Sequence, residues 1–349
     1  MKSSVIATLS AGLMALATFA AAPAWAVGWD NDDFIVAGNQ LFVYDSDFTF
    51  KGELETDPRQ RPIGLDLDLA GNLIAGSPGL GSLSQVSQVT VFQPNGEIVP
   101  EASFTNADLG TVLDIKVGPN GHYYAGTQLA GQSGERRSVQ GLVEFLPDGT
   151  TGTEFLSPVG GGGRGSGGLA SRDYDSVAVL PNGTVWSGGF TSSAGGEGWL
   201  DAFDINTGAH LGPIELDNGQ TRATTMRYSP TTNTVLLVDS NTGVGFERAL
   251  DGIFIRSFTH PTDPLAFSIT RGPNNDVYIA SNDPSVTRID RFLADGTFVD
   301  SFNASPASVT NILWTGNPPI PEPATLALAA TGLALITLRR HRSTATRSR

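Results

Sequence analysis

Between residues 34 and 314 apolar and polar residues alternate in short runs, and the runs are bounded by proline, asparagine and glycine rather than continued at helical spacing. A period of two predicts β-strands, and a Pro-Asn-Gly or Asp-Gly turn between two such runs predicts a hairpin: proline presets φ and the Asn-Gly pair accepts positive φ. One unit reads Leu65-Asp66-Leu67-Asp68-Leu69-Ala70-Gly71-Asn72-Leu73-Ile74-Ala75-Gly76, and it recurs from Ile115 to Gly126 and from Val177 to Gly188. Two looser copies run from Met226 to Asp239 and from Ile269 to Ala280. No stretch of this region sustains a 3.6-residue apolar period, so helices are not expected in it.

A second hairpin follows each first one. Its clearest forms surround Pro94-Asn95-Gly96, Pro147-Asp148-Gly149 and Asp295-Gly296; looser forms surround Asn206-Thr207-Gly208 and Asp251-Gly252, and an early form spans Leu41 to Leu54 without a glycine turn. Two hairpins make a four-stranded antiparallel sheet, the blade of a propeller. Six outer hairpins but only five complete inner ones are present, with a lone strand at each end, Phe34–Gly38 and Val309–Trp314. The expectation is an all-β, six-bladed propeller whose last blade is closed by both chain ends, Ile35 lying beside Leu313. The unit repeats at intervals of 42 to 62 residues, which places insertions near 78–88, 128–140, 157–173 and 190–198.

The two ends read differently. Lys2, an uncharged apolar run and Ala24-Trp25-Ala26 form a secretory signal, a helix over residues 1–26 with cleavage after Ala26. At the other end a proline-rich spacer, 317–323, precedes the uncharged stretch Ala324–Leu338 and then Arg339-Arg340-His341-Arg342. Fifteen residues rise about 22 Å as a helix, short of a 30 Å hydrocarbon core but extendable by flanking residues and snorkelling arginines. The arginines should stay cytoplasmic, which places the propeller domain, 27–316, outside the inner membrane. The domain plan is therefore signal 1–26, propeller 27–316, spacer 317–323 and hydrophobic, arginine-rich tail 324–349.

Composition narrows the function. The 349 residues include no cysteine, which excludes disulfide scaffolds and thiolate chemistry. Without the two end segments the body carries 15 bases and 35 acids, a balance opposed to binding nucleic acid or anionic lipid.

The tail resembles the PEP-CTERM sorting signal of Gram-negative bacteria, through Pro321-Glu322-Pro323, a short hydrophobic segment containing Gly332, and Arg339, Arg340 and Arg342. That resemblance implies the export machinery and an exosortase as partners, removal of the tail, residence in the cell envelope or extracellular matrix, and a link to exopolysaccharide or biofilm. The last full unit, Asp276 to Phe298, resembles an NHL repeat, and the whole body is similar to gluconolactonase-like six-bladed propellers, although only Asp239 matches the acidic residue usual after the second NHL strand.

Candidate chemistry is sparse. Gly160–Gly168 lacks the Lys-Ser/Thr and helix of a phosphate loop. His122, His210 and His260 fall on different hairpins, and no nucleophile elbow accompanies them. By resemblance to the gluconolactonase-like propellers, calcium would sit where the innermost strands meet the channel. The residues aligned there are Gly64, Asp114, Ser176, Thr225, Ser268 and Thr310, with Asp175, Asp263 and Asn311 as neighbours. One carboxylate in six is a poor cage for an ion that takes six to eight oxygens, so Asp114, Asp175, Asp263 and Asn311 form a metal site only if they converge. Otherwise this is a polar channel mouth capping strand ends. Trp186, Tyr124, Tyr278, Trp199 and Trp314 form either a sugar-stacking platform or packing between blades. The favoured function is a non-catalytic surface scaffold that binds polysaccharide or another envelope protein. The alternative is a secreted calcium-dependent hydrolase or lactonase-like enzyme.

Overall fold

A computed structural model describes residues 27–54, 56, 61–78, 87–105, 111–128, 141–155, 172–191, 198–262, 266–281, 288–304 and 309–316. The signal segment with Ala24 and Ala26, the tail from residue 317, the Gly160–Gly168 run, Asp263 and the greater part of the four insertions lie outside the described residues.

The first blade begins with β1 (Phe34–Ala37), β2 (Leu41–Tyr44) and β3 (Phe50–Leu54). Four-stranded sheets follow in chain order: β4–β7 (Gly64–Leu67, Leu73–Ser77, Gln88–Phe92, Phe104–Thr105) and β8–β11 (Thr111–Val117, Tyr123–Gln128, Gly141–Phe145, Thr151–Phe155). The next are β12–β15 (Arg172–Val179, Thr184–Thr191, Gly198–Asp204, His210–Pro213) and β16–β19 (Thr225–Ser229, Thr234–Asp239, Val244–Ala249, Phe254–Phe258). The sixth is β20–β23 (Ser268–Arg271, Val277–Ala280, Arg288–Phe292, Phe298–Asn303). β24 (Asn311–Trp314) then returns to pair antiparallel with β1, and Ile35 faces Leu313. The chain is thus an all-β, six-bladed propeller closed by both ends, as its pattern predicts. Among the described residues no helix is long and apolar enough to cross a membrane.

The inner strands explain why their sequences are almost continuously apolar. Along β1 the alternate side chains Ile35 and Ala37 pack with Leu65, Leu73 and Ala75 of the second blade, while Phe34 and Val36 pack with Tyr278, Ala280 and Ile289 of the sixth. Both faces of a blade are therefore interior, and all four residues of β1 are fully buried. Among the described residues the core is six such clusters, one at each blade junction. The five aromatics considered for sugar stacking belong to these clusters: Trp186, Tyr124, Tyr278, Trp199 and Trp314 are all buried. Their role is packing between blades, not a surface platform.

The turns follow their sequences. Gly71, Gly121 and Gly183 hold the positive φ of the inner hairpins, and Asn233 and Asn274 hold it where glycine is missing. The early outer hairpin solves the same problem with a phenylalanine. Phe48 has φ +59°, and its ring stacks at 4.5 Å on both Phe34 and Phe302. The strained backbone is held because the ring joins the first blade to the sixth.

Candidate functional site

The innermost strands of the six blades run side by side around the channel, each with one edge that has no strand partner. Pairing fixes their common register: Gly64, Asp114, Ser176, Thr225, Ser268 and Asn311 face Gly76, Gly126, Gly188, Val238, Ala280 and Ala37 respectively. This corrects the aligned set in one place, since Asn311 rather than Thr310 occupies the sixth position. Thr310 still donates its N–H to Ala37 O, at 2.8 Å, which extends the apparent strand by one residue. A slip of one residue in a strand reverses the side chain's direction. Asp114 and Ser176 also lie inside β8 and β12, beside register shifts, rather than ahead of them.

These residues latch each blade to the next. Asn311 Nδ2 donates to Ile63 O (2.7 Å), and Asp66 Oδ2 accepts from Val117 N (2.8 Å). Asp114 Oδ2 accepts from Val177 N (3.0 Å), and Ser176 Oγ donates to Ala223 O (3.0 Å). Thr225 Oγ1 donates to Phe267 O (2.7 Å), and Ser268 Oγ accepts from Ile312 N (3.1 Å). All six junctions are bridged, and the free strand edges find their partners in side chains, as buried backbone groups must. Each bond contributes about 1 kcal/mol, more where a carboxylate accepts. At Gly64 the second blade packs closely on the backbone of the third. A Cβ there would stand 2.6 Å from Ile115 N, so Asp66, two residues on, makes the latch instead.

Two residues further along the strands lie Asp66, Lys116, Ala178, Arg227, Thr270 and Leu313. Arg227 belongs to the fifth blade and Asp66 to the second, on opposite sides of the ring. Arg227 Nη1 nevertheless reaches Asp66 Oδ1 (3.2 Å) and Nη2 reaches Leu65 O (3.0 Å). Lys116 Nζ pairs with Asp114 Oδ1 and donates to Ile115 O (3.1 Å). Two acids and two bases thus form a neutral bolt across the channel. The Asp114, Lys116 and Arg227 side chains are nearly inaccessible, and Asp66 is 20% exposed. Burial pushes the Asp114 carboxyl up and the Lys116 ammonium down, each opposed by the other's charge; burial also lowers Arg227.

Asp114 therefore has both oxygens engaged by the chain's own donors. Asn311 sits in the first blade, bonded to Ser268 Oγ as well as to Ile63 O, and Asp175 is half-buried at the shift in β12. Among the described residues no three His, Asp or Glu side chains gather as a metal ion would require. The histidines stay apart: His122 Nδ1 contacts Glu144 (2.7 Å) in the third blade, His210 Nε2 lies 3.4 Å from Asp201 in the fourth, and His260 follows β19. Glu144 also accepts from Tyr124 OH (3.0 Å) and Thr153 N (2.9 Å). Burial pushes its carboxyl up, but the bonds from His122, Thr153 and Tyr124 outweigh that and leave it below the ordinary range.

The decisive chemistry lies in the tail. Residues 319–342 match the family model described as the PEP-CTERM protein-sorting motif. The chain carries a PEP-CTERM sorting signal. The matched span includes Pro321, Glu322, Pro323, Gly332, Arg339, Arg340 and Arg342, all outside the described residues. A PEP-CTERM protein is exported, sorted to the cell envelope and processed by an exosortase, so the chain is a sorted propeller. No curated protein matches it. Among solved structures it is similar to a protein of unknown function from Bacteroides caccae, at 11% identity and a TM-score of 0.58, over 80% of this chain and 97% of that one. That likeness concerns the fold alone. It is also similar to a catalytically inactive virginiamycin B lyase from Staphylococcus aureus with quinupristin, at 13% identity and a TM-score of 0.48, over 72% of this chain and 73% of that one. A streptogramin B lyase follows at 11% identity and a TM-score of 0.49, over 78% of this chain and 74% of that one.

Proposed function

We propose that this PEP-CTERM protein is a non-catalytic binding scaffold of the outer surface or matrix of a Gram-negative cell, displayed in contact with exopolysaccharide. The observation that carries the reading is the engagement of the channel's polar groups. The blade latches and the bolt from Arg227 to Asp66 occupy the carboxylates and cations that an enzyme of this shape would aim at a substrate. A scaffold needs only a rigid body with a solvated outer surface, and the surplus of acids keeps such a body soluble and non-adhesive toward anionic lipid. The rival is a calcium-dependent hydrolase or lactonase-like enzyme built on Asp114.

A glycan array probed with the processed protein, with and without a calcium chelator, separates the two. The scaffold reading expects retention of at least one acidic or neutral polysaccharide, unchanged by chelation. Chelator-sensitive hydrolysis of a lactone, abolished by Asp114→Asn while the fold is retained, would overturn it.

A further inference from the structure

We propose that the propeller is held with its tight-turn face toward the membrane that anchors its tail, and with the opposite face presented outward. The proposal rests on the sorting reading and adds a direction to it. β24 runs from Asn311 to Trp314 in the same sense as the five other innermost strands, so the chain leaves at the end where the inner hairpin turns around Ala70, Asn120 and Asn182 lie. Its exit is fixed. Thr315 N donates to Asp33 O (2.9 Å), Asp33 N donates to Thr315 Oγ1 (3.1 Å), and Lys51 Nζ holds Asp33 Oδ2 at 2.6 Å. Gly316 is packed so closely that a Cβ would stand 2.4 Å from Asn31 O.

From that point seven residues, 317–323, precede the hydrophobic stretch that begins at Ala324. The eight Cα–Cα steps from Gly316 to Ala324 reach about 25 Å at the roughly 3.1 Å per residue of a proline-rich linker, and at most about 29 Å fully extended. Reaching the opposite face means crossing three inter-strand spacings, roughly 14 Å, and then the height of a blade, roughly 13–25 Å, with side chains to clear on the way. The spacer is too short for that path. The face containing the turn Asp239–Gly243, with Asn241 exposed, therefore points away from the membrane. It also carries the strand ends Ser77, Gln128, Thr191 and Ala280, from which the connections to the third strands depart.

A second observation bears on how that face meets a bilayer. The outer hairpin turns at the tail's end repeat one device: Asp45, Asp148, Asp204, Asp251 and Asp295 each accept a backbone N–H two residues on, at 2.9–3.1 Å, with Asn95 in the second blade. Five carboxylates ring the membrane-facing side. Their repulsion from anionic headgroups acts over about a Debye length, 8 Å at physiological salt, and keeps the face from lying on the lipid.

The full chain has no cysteine, so single-cysteine variants label at one place. Ala70→Cys marks the tight-turn face and Asn241→Cys the other, with Asn182→Cys as a second tight-turn position should Ala70→Cys fail to fold. Each is expressed in a host lacking its exosortase, labelled with a donor dye in spheroplasts, and read by energy transfer to an acceptor lipid in the inner membrane. Transfer from position 70 or 182 is expected to be at least twice that from position 241. Equal transfer, or more from 241, with the precursor in the membrane fraction overturns the orientation alone. A precursor absent from the membrane fraction overturns the sorting reading, and the orientation with it.

Discussion

Removing the carboxylate of Asp66 tests whether the channel is bolted as described. Asp66→Ala deletes the partner of Arg227 across the channel and the acceptor of Val117 N between the second and third blades. Arg227 would then keep Leu65 O but lose its nearest counter-charge while only 4% exposed. Breaking a buried pair from one side costs 3–5 kcal/mol. Asp66 is one-fifth exposed, so water recovers part of this, and about 3 kcal/mol is the reasoned loss. For the 290 residues of 27–316 the unfolding entropy is ~0.6 kcal/mol per K, so the melting temperature should fall by about 5 °C. Arg227→Met leaves an acid that still accepts from Val117 N and reaches solvent, and it should cost only about 1–2 kcal/mol. The double variant Asp66→Leu with Arg227→Met removes both charges. It should recover most of the loss, because well-packed apolar replacements of buried pairs are near neutral. Urea unfolding of Asp66→Leu, Arg227→Met and the double variant gives the coupling energy. Additive losses, or an Asp66→Ala variant within 0.5 kcal/mol of the parent, would refute the bolt.

Other outcomes follow from the same geometry. Gly64→Ala drives a Cβ against the third blade's backbone and should cost about 1–3 kcal/mol by urea unfolding, a loss that flanking substitutions at exposed Ala70 should not reproduce. Phe48→Gly relieves a positive φ but removes two ring stacks, so a net loss of about 1–2 kcal/mol in thermal melts is expected, whereas a gain would show that the backbone strain dominates. Glu144 is held below its ordinary value of 4.5, so the unfolded chain takes up its proton first; this part of the stability is complete above 4.5 and is lost as pH falls through the lower folded value. Glu144→Gln should flatten that acid limb, and an unchanged limb in pH-dependent melts would assign it elsewhere. Millimolar calcium should leave the melting temperature within 1 °C, since Asp114 is already engaged on both oxygens; a rise of several degrees would revive the metal site.

The architecture was legible because its determinants are local. Pro-Asn-Gly and Asp-Gly turns locate hairpins, and hairpins with a lone strand at each end can be counted into six blades. Even the pairing of Ile35 with Leu313 followed from that count. What was not legible depends on exact register between blades. Thr310 and Asn311 both continue an apolar strand, and only the pairing of Asn311 with Ala37 decides which side chain joins the ring. The bolt joins residues 161 apart in sequence, and neither Asp66 nor Arg227 stands in a recognisable motif. Superposing the six units would have shown two acids and two bases at adjacent levels around one channel, the available signal that they neutralise each other. Phe48 was legible only as a missing glycine, because its compensation comes from Phe34 and Phe302 on other strands.

The PEP-CTERM motif implies that this propeller is exported and then released from its tail. Mass spectrometry of the protein recovered from the host envelope tests it most directly, by reading both ends of the mature chain in hosts with and without the exosortase. The expected result is a surface form starting near Val27 and lacking every peptide from Ala324 to Arg349, with those peptides retained only when the exosortase is absent. Peptides spanning Ala324–Arg349 on the mature surface form of the normal host would contradict it, and would make the tail a permanent anchor.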